Sequence, residues 1–577
     1  MDLNKLNAGY ALRRHPGSAI VAGLTGLVAF GTVSTLALMV AETASDTSSL
    51  QPAFAALAGR AMQLLRFGMD GATWQCAQAG VVIGAMSGAL TGIRYWQTMP
   101  FTEPFGSDDP NDPRIFYDED AQISLKQRLL TKAGADKLNG LYIAPYLPLS
   151  QRLERRNILI AGTPGSGKSN LLRPIAQQAI ARGDIVVLHC TKGEIEGSFR
   201  RSDIILLSPT NKHGWAWDIG ADIDGPAAAQ EFATTVIAES KEVFFSNTAR
   251  LVLADVITAL GREKGRDWGP RDLLARVLYR PQELAQMIGT LDLSASPLIT
   301  SSDPEEVSRT VESVLATLVS GALTTLRPMA LAWTGLPRSR MFSIKAMLAS
   351  DWQGPRVLIV QSHASFEVLS ANVCGGALRY LCQQVAAPRS KRAAFPNVTI
   401  VLDEFRSLGR IDGLDRCLSV AREQGLSMTI ALQSLSQLKD LYGDAATTLE
   451  GLFQIKIFGM QEPGDATNGL SQTLGKRKIT VTLPNRLPKA DDKRKWVSER
   501  QDYPLFSPKQ FAHDLGNFDP GTPDEVITAL LTFEGNAYRL DWPPTDWRAQ
   551  SRGYVPAYWT TRQVAAPTAT DQTLMDR

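Results

Sequence analysis

The sequence predicts an α/β core built around a phosphate-binding loop, interrupted by an all-α insertion and preceded by two transmembrane helices. Three observations predict it. A short apolar run, 157–161, feeds directly into a glycine-rich stretch ending Gly-Lys-Ser, and a helical pattern follows. A second apolar run, 398–402, ends in two adjacent carboxylates. Near the N-terminus, 18–40 and 72–93 contain no charged side chain. The whole chain of 577 residues is too long for one core, and at about 150 residues per domain it should hold about three to four units.

Each N-terminal run exceeds the roughly 20 residues needed to cross a hydrocarbon layer of about 30 Å. Lys5, Arg13 and Arg14 precede the first and Arg94 follows the second, while Arg60 and Arg66 lie between them. The positive-inside count therefore favours an inside N-terminus by a small margin. A cleaved signal peptide fits poorly, because the apolar run is too long and a second follows. Gly80, Gly84, Gly88 and Gly92 recur every fourth residue and share one helix face, which lets another helix approach closely. That helix is either the other span of the same subunit or one from a neighbour.

Gly162-Thr163-Pro164-Gly165-Ser166-Gly167-Lys168-Ser169 is a complete G-x-x-x-x-G-K-[ST] loop between a buried strand and a helix expected over 170–181. Its glycines let backbone N–H groups turn toward phosphate oxygens, Lys168 neutralises β/γ charge, and Ser169 offers a hydroxyl to Mg²⁺. ATP and Mg²⁺ are the cofactors this pattern calls for. Asp403 and Glu404 leave the carboxyl end of the second strand, where α/β ligands bind. Asp403 is placed to hold the metal through water, and Glu404 to orient and polarise the attacking water.

The stretch between Ser169 and Asp403 is too long for a minimal core of this kind. Further strands are expected over 184–189, 203–208 and 357–360, but 226–239, 245–261, 271–278, 282–291 and 304–326 carry helical periodicity. Pro226, Pro270 and Pro304 sit near the helix starts, as a first turn permits. The expected organisation is an anchor over 1–100, a nucleotide-binding part over 101–221, an all-α insertion over 222–340, a second nucleotide-binding part over 341–550 and a polar tail over 551–577.

With 60 basic and 58 acidic residues and a net charge of +2, no global polycation advertises nucleic acid. The insertion holds 12 Lys/Arg against 15 Asp/Glu, a net of −3, which suits a protein contact or single phosphate contacts better than a broad DNA-binding face. The segment 476–500 holds nine Lys/Arg against three Asp/Glu, a net of +6. Its runs 479–483 and 496–498 read as arms of a hairpin with a basic tip, either a solvated loop or a source of phosphate contacts. The five cysteines are scattered without a CxxC pair or a matching histidine cluster, which argues against a disulfide scaffold and a structural zinc site.

From Thr399 onward the pattern becomes specific. Asp403-Glu404-Phe405, Leu408-Gly409, Arg422 with Gly425, Gln433-Ser434, Gln437-Leu438 and Tyr442-Gly443 resemble the TraD/TrwB family of type IV secretion coupling proteins. The two spans, the Walker A loop and the helical insertion match that family's layout over roughly 10–545. The resemblance implies a RecA-like P-loop ATPase, anchored in the bacterial inner membrane by two spans and a short periplasmic loop, with the N-terminus and the ATPase cytoplasmic. It implies a hexamer that binds single-stranded DNA (double-stranded DNA being the alternative), recruits the relaxase and its relaxosome, and meets inner-membrane components of the secretion system during conjugation. By the same resemblance Gln433 is the sensor that reads the γ-phosphate, and Arg422 acts on the neighbouring subunit's nucleotide.

The sequence departs from the family at Cys190, which stands where an aspartate is usual after the second core strand; the aspartate's contribution is lost or moved to Glu194. Two other functions stay open: an FtsK-like translocase of double-stranded DNA, against which the spans are too few and no winged-helix reader is evident, and a receptor delivering protein effectors to a secretion channel.

Overall fold

The computed structural model describes residues 114–134, 138–238, 242–290, 295, 309–387, 397–420, 423–484 and 496–561. The chain divides into two compact units, and the architecture below is that of the larger, which holds 109–116 and 121–577. The expected spans 18–40 and 72–93, with the Gly80–Gly92 face, lie outside the described residues.

The core is an 11-stranded mixed sheet. In chain order its strands are β1 (Ile115–Tyr117), β2 (Ile158–Ala161), β3 (Ile185–Cys190), β4 (Ile204–Leu207), β5 (Val357–Gln361), β6 (Val398–Leu402), β7 (Leu426–Leu432), β8 (Ile455–Phe458), β9 (Gly516–Phe518), β10 (Val526–Phe533) and β11 (Asn536–Trp542). They lie in the order β1-β11-β10-β8-β2-β7-β6-β3-β5-β4, with β9 paired to β10 off that path. Every pairing from β8 to β4 is parallel. β10 then joins β8 antiparallel, and β11 joins β10 the same way.

Strands β2 to β6 are buried along their whole length. Near-continuous apolar runs are what a parallel sheet covered on both faces demands. Because these strands run the same way, Ala161, His189, Leu402 and Leu432 reach one edge of the sheet in neighbouring register. The helix α1 (Lys168–Arg182) leaves that edge after β2 and packs back on the sheet through Leu171, Leu172, Ile175 and Ala179.

After β4 the chain enters the helical insertion: α2 (Pro226–Val236), α3 (Val243–Lys264), α4 (Pro270–Val277), α5 (Pro281–Thr290) and α6 (Arg309–Trp333). α3 buries Ala249, Val252, Leu253, Val256 and Leu260, and α6 buries Leu318, Ala322, Leu326 and Met329. These are the three- and four-residue steps of amphipathic helices facing one another. Both α3 and the 311–333 part of α6 are long and apolar enough to cross a membrane by composition, yet the apolar stretch of α3 is mostly buried in the protein.

The α6 end expected at Leu326 is corrected: the helix runs through Pro328 to Trp333. Proline removes one backbone donor, but Met329, Ala330 and Trp333 beyond it are buried, and that apolar face offsets the lost bond. Residues 301–308, with Pro304, lie outside the described residues.

The insertion is clasped where it leaves and returns. Ala216–Trp217 pairs in parallel with Met341–Phe342. Beside this ribbon the fully buried Asp222 accepts from Trp217 Nε1 at 2.6 Å, Ser343 Oγ at 2.6 Å, Ile344 N at 2.8 Å and Lys345 N at 3.0 Å. Burial pushes its carboxyl up while these donors hold it down, the balance expected of a buried but saturated acid.

The basic segment forms a hairpin, Lys476–Pro484 against Trp496–Pro504, in unbroken antiparallel register. Its arms are longer than expected, and 485–495 lie outside the described residues.

The polar tail placed at 551 is corrected over its first part. Gln550 N and Ser551 N donate to Gly197 O at 2.7 and 3.0 Å, and Ala557 N donates to Thr210 O at 2.7 Å. A short helix, Tyr558–Thr561, follows, and Tyr554 and Trp559 pack on His363 and Phe366. Aromatic side chains spaced along a polar stretch give no helix or strand period, so the docking is invisible to pattern.

Candidate nucleotide site

The glycine-rich loop rises from β2 and is tied at both flanks. Gly162 N donates to Leu432 O at 3.1 Å, and Thr163 N donates to Met460 O at 2.9 Å. Gly165 and Gly167 have φ of 82° and 85°, the left-handed region that side chains rarely adopt. At Gly167 a Cβ would also lie 2.6 Å from Ile527 Cγ2, so only glycine can start α1 here. Lys168 and Ser169 open that helix, whose positive end faces the cleft.

Lys168 Nζ donates to Gly162 O at 2.7 Å and Thr163 O at 2.9 Å. Burial lowers its pKa, Asp403 and Glu404 pull it back up, and Lys192 adds to the lowering. The ammonium is thus held on the loop carbonyls, within the field of the two carboxylates. Ser169 Oγ donates to Asp403 Oδ2 at 3.0 Å, which brings the two candidate metal ligands together from opposite ends of the insertion. Glu404 follows with φ of 53°, an unusual value for a side-chain-bearing residue, and its Oε1 accepts from Gln433 Nε2 at 3.0 Å. Strain of this kind gathers at functional sites. Gln433, expected to face a phosphate, thus also holds the carboxylate beside it.

Two residues without an assigned role support this cluster. His189 is fully buried, with Nδ1 against the Asp403 carbonyl and Nε2 2.8 Å from Ser362 Oγ. A carbonyl only accepts, so Nδ1 carries the proton and Nε2 receives the serine hydroxyl. Burial pushes its pKa down to about 4, so the ring is neutral and serves to fix the turn. Gln437, also buried, accepts from Gln433 N through Oε1 at 3.0 Å. The signal for Gln437 was its place four residues after Gln433; for His189 there was only a polar residue inside an apolar strand.

Cys190 is buried, and its Sγ donates to Glu196 Oε2 at 3.1 Å. Burial pushes the thiol well up, which makes it a poor nucleophile. Glu194 is exposed and faces Arg173 at 3.4 Å. Arg422 lies outside the described residues. Together Lys168, Ser169, Asp403, Glu404 and Gln433 line a cleft of about 480 Å³ whose far wall includes Asn517 and Trp547. Trp547 belongs to the docked C-terminal segment, held to α1 by Arg173 Nη1 donating to Thr545 O at 2.8 Å.

A family model described as the type IV secretion-system coupling protein DNA-binding domain matches residues 141–502. Coupling protein TraD of Escherichia coli (strain K12) is 24% identical over 404 residues, which are 67% of this chain and 53% of TraD. The chain thus spans about half the length of that curated relative. Among solved structures, the bacterial conjugative coupling protein TrwBdeltaN70 in an unbound monoclinic form superposes with a TM-score of 0.61 at 20% identity, covering 79% of this chain and 97% of that one. The plasmid coupling protein TrwB in complex with ADP and Mg²⁺ gives the same TM-score and identity, covering 79% of this chain and 99% of that one. At such identity the superpositions establish a shared RecA-like α/β fold. The family match covers well over half of the chain, across the loop, the insertion and the Asp403–Gln433 cluster, and on that match the chain belongs to the type IV secretion-system coupling proteins.

Proposed function

We propose that this chain is an inner-membrane ATPase that couples a relaxase–DNA complex to a type IV secretion channel and drives single-stranded DNA into it. The observation that carries the reading is the convergence of Lys168, Ser169–Asp403 and Glu404–Gln433 in one cleft of a coupling-family chain. Lys168 would leave its loop carbonyls for β- and γ-phosphate oxygens. Ser169 and Asp403 fit Mg²⁺, since a serine hydroxyl beside a carboxylate is the oxygen pair a hard, partly hydrated cation takes. Held there, such an ion would supply charge neutralisation for the phosphates.

Glu404 would orient and polarise the attacking water, with Gln433 holding one carboxylate oxygen so that the other faces it. Arg422 would reach the nucleotide of an adjacent subunit in a hexamer, stabilising transition-state charge. TrwB has been solved with ADP and Mg²⁺ and with a non-hydrolysable ATP analogue, which supports the cofactor choice. Two spans near the N-terminus would hold the motor at the membrane with its cleft in the cytoplasm.

A receptor for protein effectors is the second reading, favoured by the net −3 of the insertion. The full-length protein in detergent separates the two. A DNA motor hydrolyses ATP faster with single-stranded DNA, and the stimulation falls as salt rises because phosphate contacts release counterions. Hydrolysis indifferent to DNA at every salt concentration overturns the first reading and leaves the second.

A further inference from the structure

A second pocket lies on the other side of the Cys190–Glu196 pair from the nucleotide cleft. We propose that this pocket, formed by Arg201, His213, Arg340 and Arg552, binds a phosphate group. Its volume is about 310 Å³, the low end of the range for small-molecule sites and room for one phosphate with a sugar. The basic side chains come from separate parts of the chain: Arg201 precedes β4, the neutral His213 follows it, Arg340 stands where the insertion returns, and Arg552 lies in the docked C-terminal segment.

The guanidinium groups are not neutralised by ion pairs. Arg201, Arg340 and Arg552 make no ion pair among the described residues. Arg201 Nη1 instead donates to His213 Nδ1 at 3.1 Å, and one Arg340 nitrogen donates to Gly214 O. Burial and then Arg201 hold Arg340 below its usual pKa. His213 is lowered by burial, then by Arg201, Arg340 and Lys212. Each cation here raises the cost of the next, which is the field an anion relieves. Guanidinium forks match phosphate oxygens in pairs, which a lysine patch would not do.

The inner wall carries an independent sign of a missing partner. Glu196 is 4% exposed, and its Oε1 has no hydrogen-bond partner among the described residues. Burial pushes this carboxyl up to about 7, so near neutral pH about half of it is protonated, and the protonated form can donate to an anion. Because Glu196 Oε2 is held by Cys190 Sγ, and Cys190 lines the nucleotide cleft, one hydrogen bond separates the two pockets. The inference does not depend on the hydrolytic reading of that cleft.

The test is equilibrium binding of pyrophosphate to the full-length protein in detergent, on a Lys168→Ala background that disables the glycine-rich loop. Saturable binding is expected, weakened about tenfold or more by Arg201→Gln or Arg340→Gln. Arg338→Gln should leave it unchanged, since Arg338 is exposed and already paired with Asp267. Arg201 sits on the surface, so its variant keeps the fold, which an unchanged melting temperature verifies. No saturable binding, or binding that both substitutions spare, overturns the proposal. A short oligothymidylate that competes with pyrophosphate, and loses affinity in Arg201→Gln, identifies the phosphate as nucleic-acid backbone; pyrophosphate binding without competition identifies a free phosphate or nucleotide.

Discussion

The nucleotide cleft and the helical insertion obey different rules. In the insertion, α3 and α6 are long and regular and meet through apolar steps of three and four residues. Around the cleft, order comes from parallel register: residues as far apart in sequence as Ser169 and Asp403 meet because β2, β3, β6 and β7 end at one edge. There the backbone departs from regular geometry at Gly165, Gly167 and Glu404, and polar groups sit half-buried with opposing charges. Regular structure supplies stability, and chemistry sits where the strands stop. A substitution at the cleft should therefore cost activity and little stability, and one at the insertion's clasp the reverse.

The sharpest way to break that contrast is Lys168→Ala. Among the described residues Lys168 bonds only loop carbonyls, so the melting temperature should hold. Hydrolysis should fall about a thousandfold or more, because the lost charge acts most strongly on the transition state. Steady-state ATPase of the full-length protein checks it, and near-normal turnover would remove Lys168 from the site. Arg422→Ala should lose hydrolysis to a similar degree, about a thousandfold, but only in the assembled state. Mixing it with Glu404→Ala subunits should partly restore activity. Failure of every ratio in verified mixed hexamers places Arg422 in its own subunit's site.

The clasp gives the opposite result. Asp222→Ala strips the acceptor from Trp217 Nε1, Ser343 Oγ and two backbone donors. Leaving such groups unpaired costs about 3 kcal/mol or more. Urea denaturation should show the loss. Unchanged stability would mean that the Ala216–Trp217 and Met341–Phe342 ribbon holds the insertion without it.

These two regions were not equally legible. The glycine-rich loop and Asp403-Glu404 could be read because each is a short local pattern flanked by apolar runs. The insertion could be read because amphipathic helices carry their period in sequence, although α6 passes through Pro328, where proline should have ended it. His189 could not be read, since its role depends on β3 lying beside β6 in a register no local window contains. The antiparallel strands β10 and β11 were also unforeseen. β10 is buried over Ile527–Leu531, so it has little of the alternation that marks a one-sided strand. The docked segment 543–561 has no legible pattern for a third reason: its anchors are single aromatics and backbone bonds.

Glu196 lies at the border between the cleft and the phosphate pocket, and it sharpens the contrast through pH. Its carboxyl is raised from 4.5 to about 7 by burial, so the folded state holds a proton that the unfolded state gives up earlier. The stability this contributes is present below about pH 4.5 and lost as pH rises through about 7. The gap corresponds to about 3 kcal/mol. Glu196→Gln cannot ionise, so its denaturation midpoint should fall less than the wild type's across that window. Parallel pH profiles would show that Glu196 ionises freely in the folded protein.

The smallest effect belongs to Gln437. Its buried Oε1 accepts the Gln433 backbone N–H, and Gln433 in turn holds Glu404. Gln437 touches none of the reacting atoms, so Gln437→Ala removes positioning only. Gln433 then loses one anchor of the turn that aims its amide, and Glu404 has a wider range of orientations. A neutral hydrogen bond of this sort is worth about 1 kcal/mol, or a factor of about five to ten in turnover. KM for ATP should stay as it is, because Lys168, Ser169 and the loop glycines are untouched. Gln437→Glu keeps the acceptor oxygen and should restore most of kcat, an outcome that mere repacking of a buried side chain would not produce. A fall in kcat that Gln437→Glu does not restore, or a rise in KM matching it, would assign Gln437 to the stability of the turn and return the cleft to a set of side chains positioned by register alone.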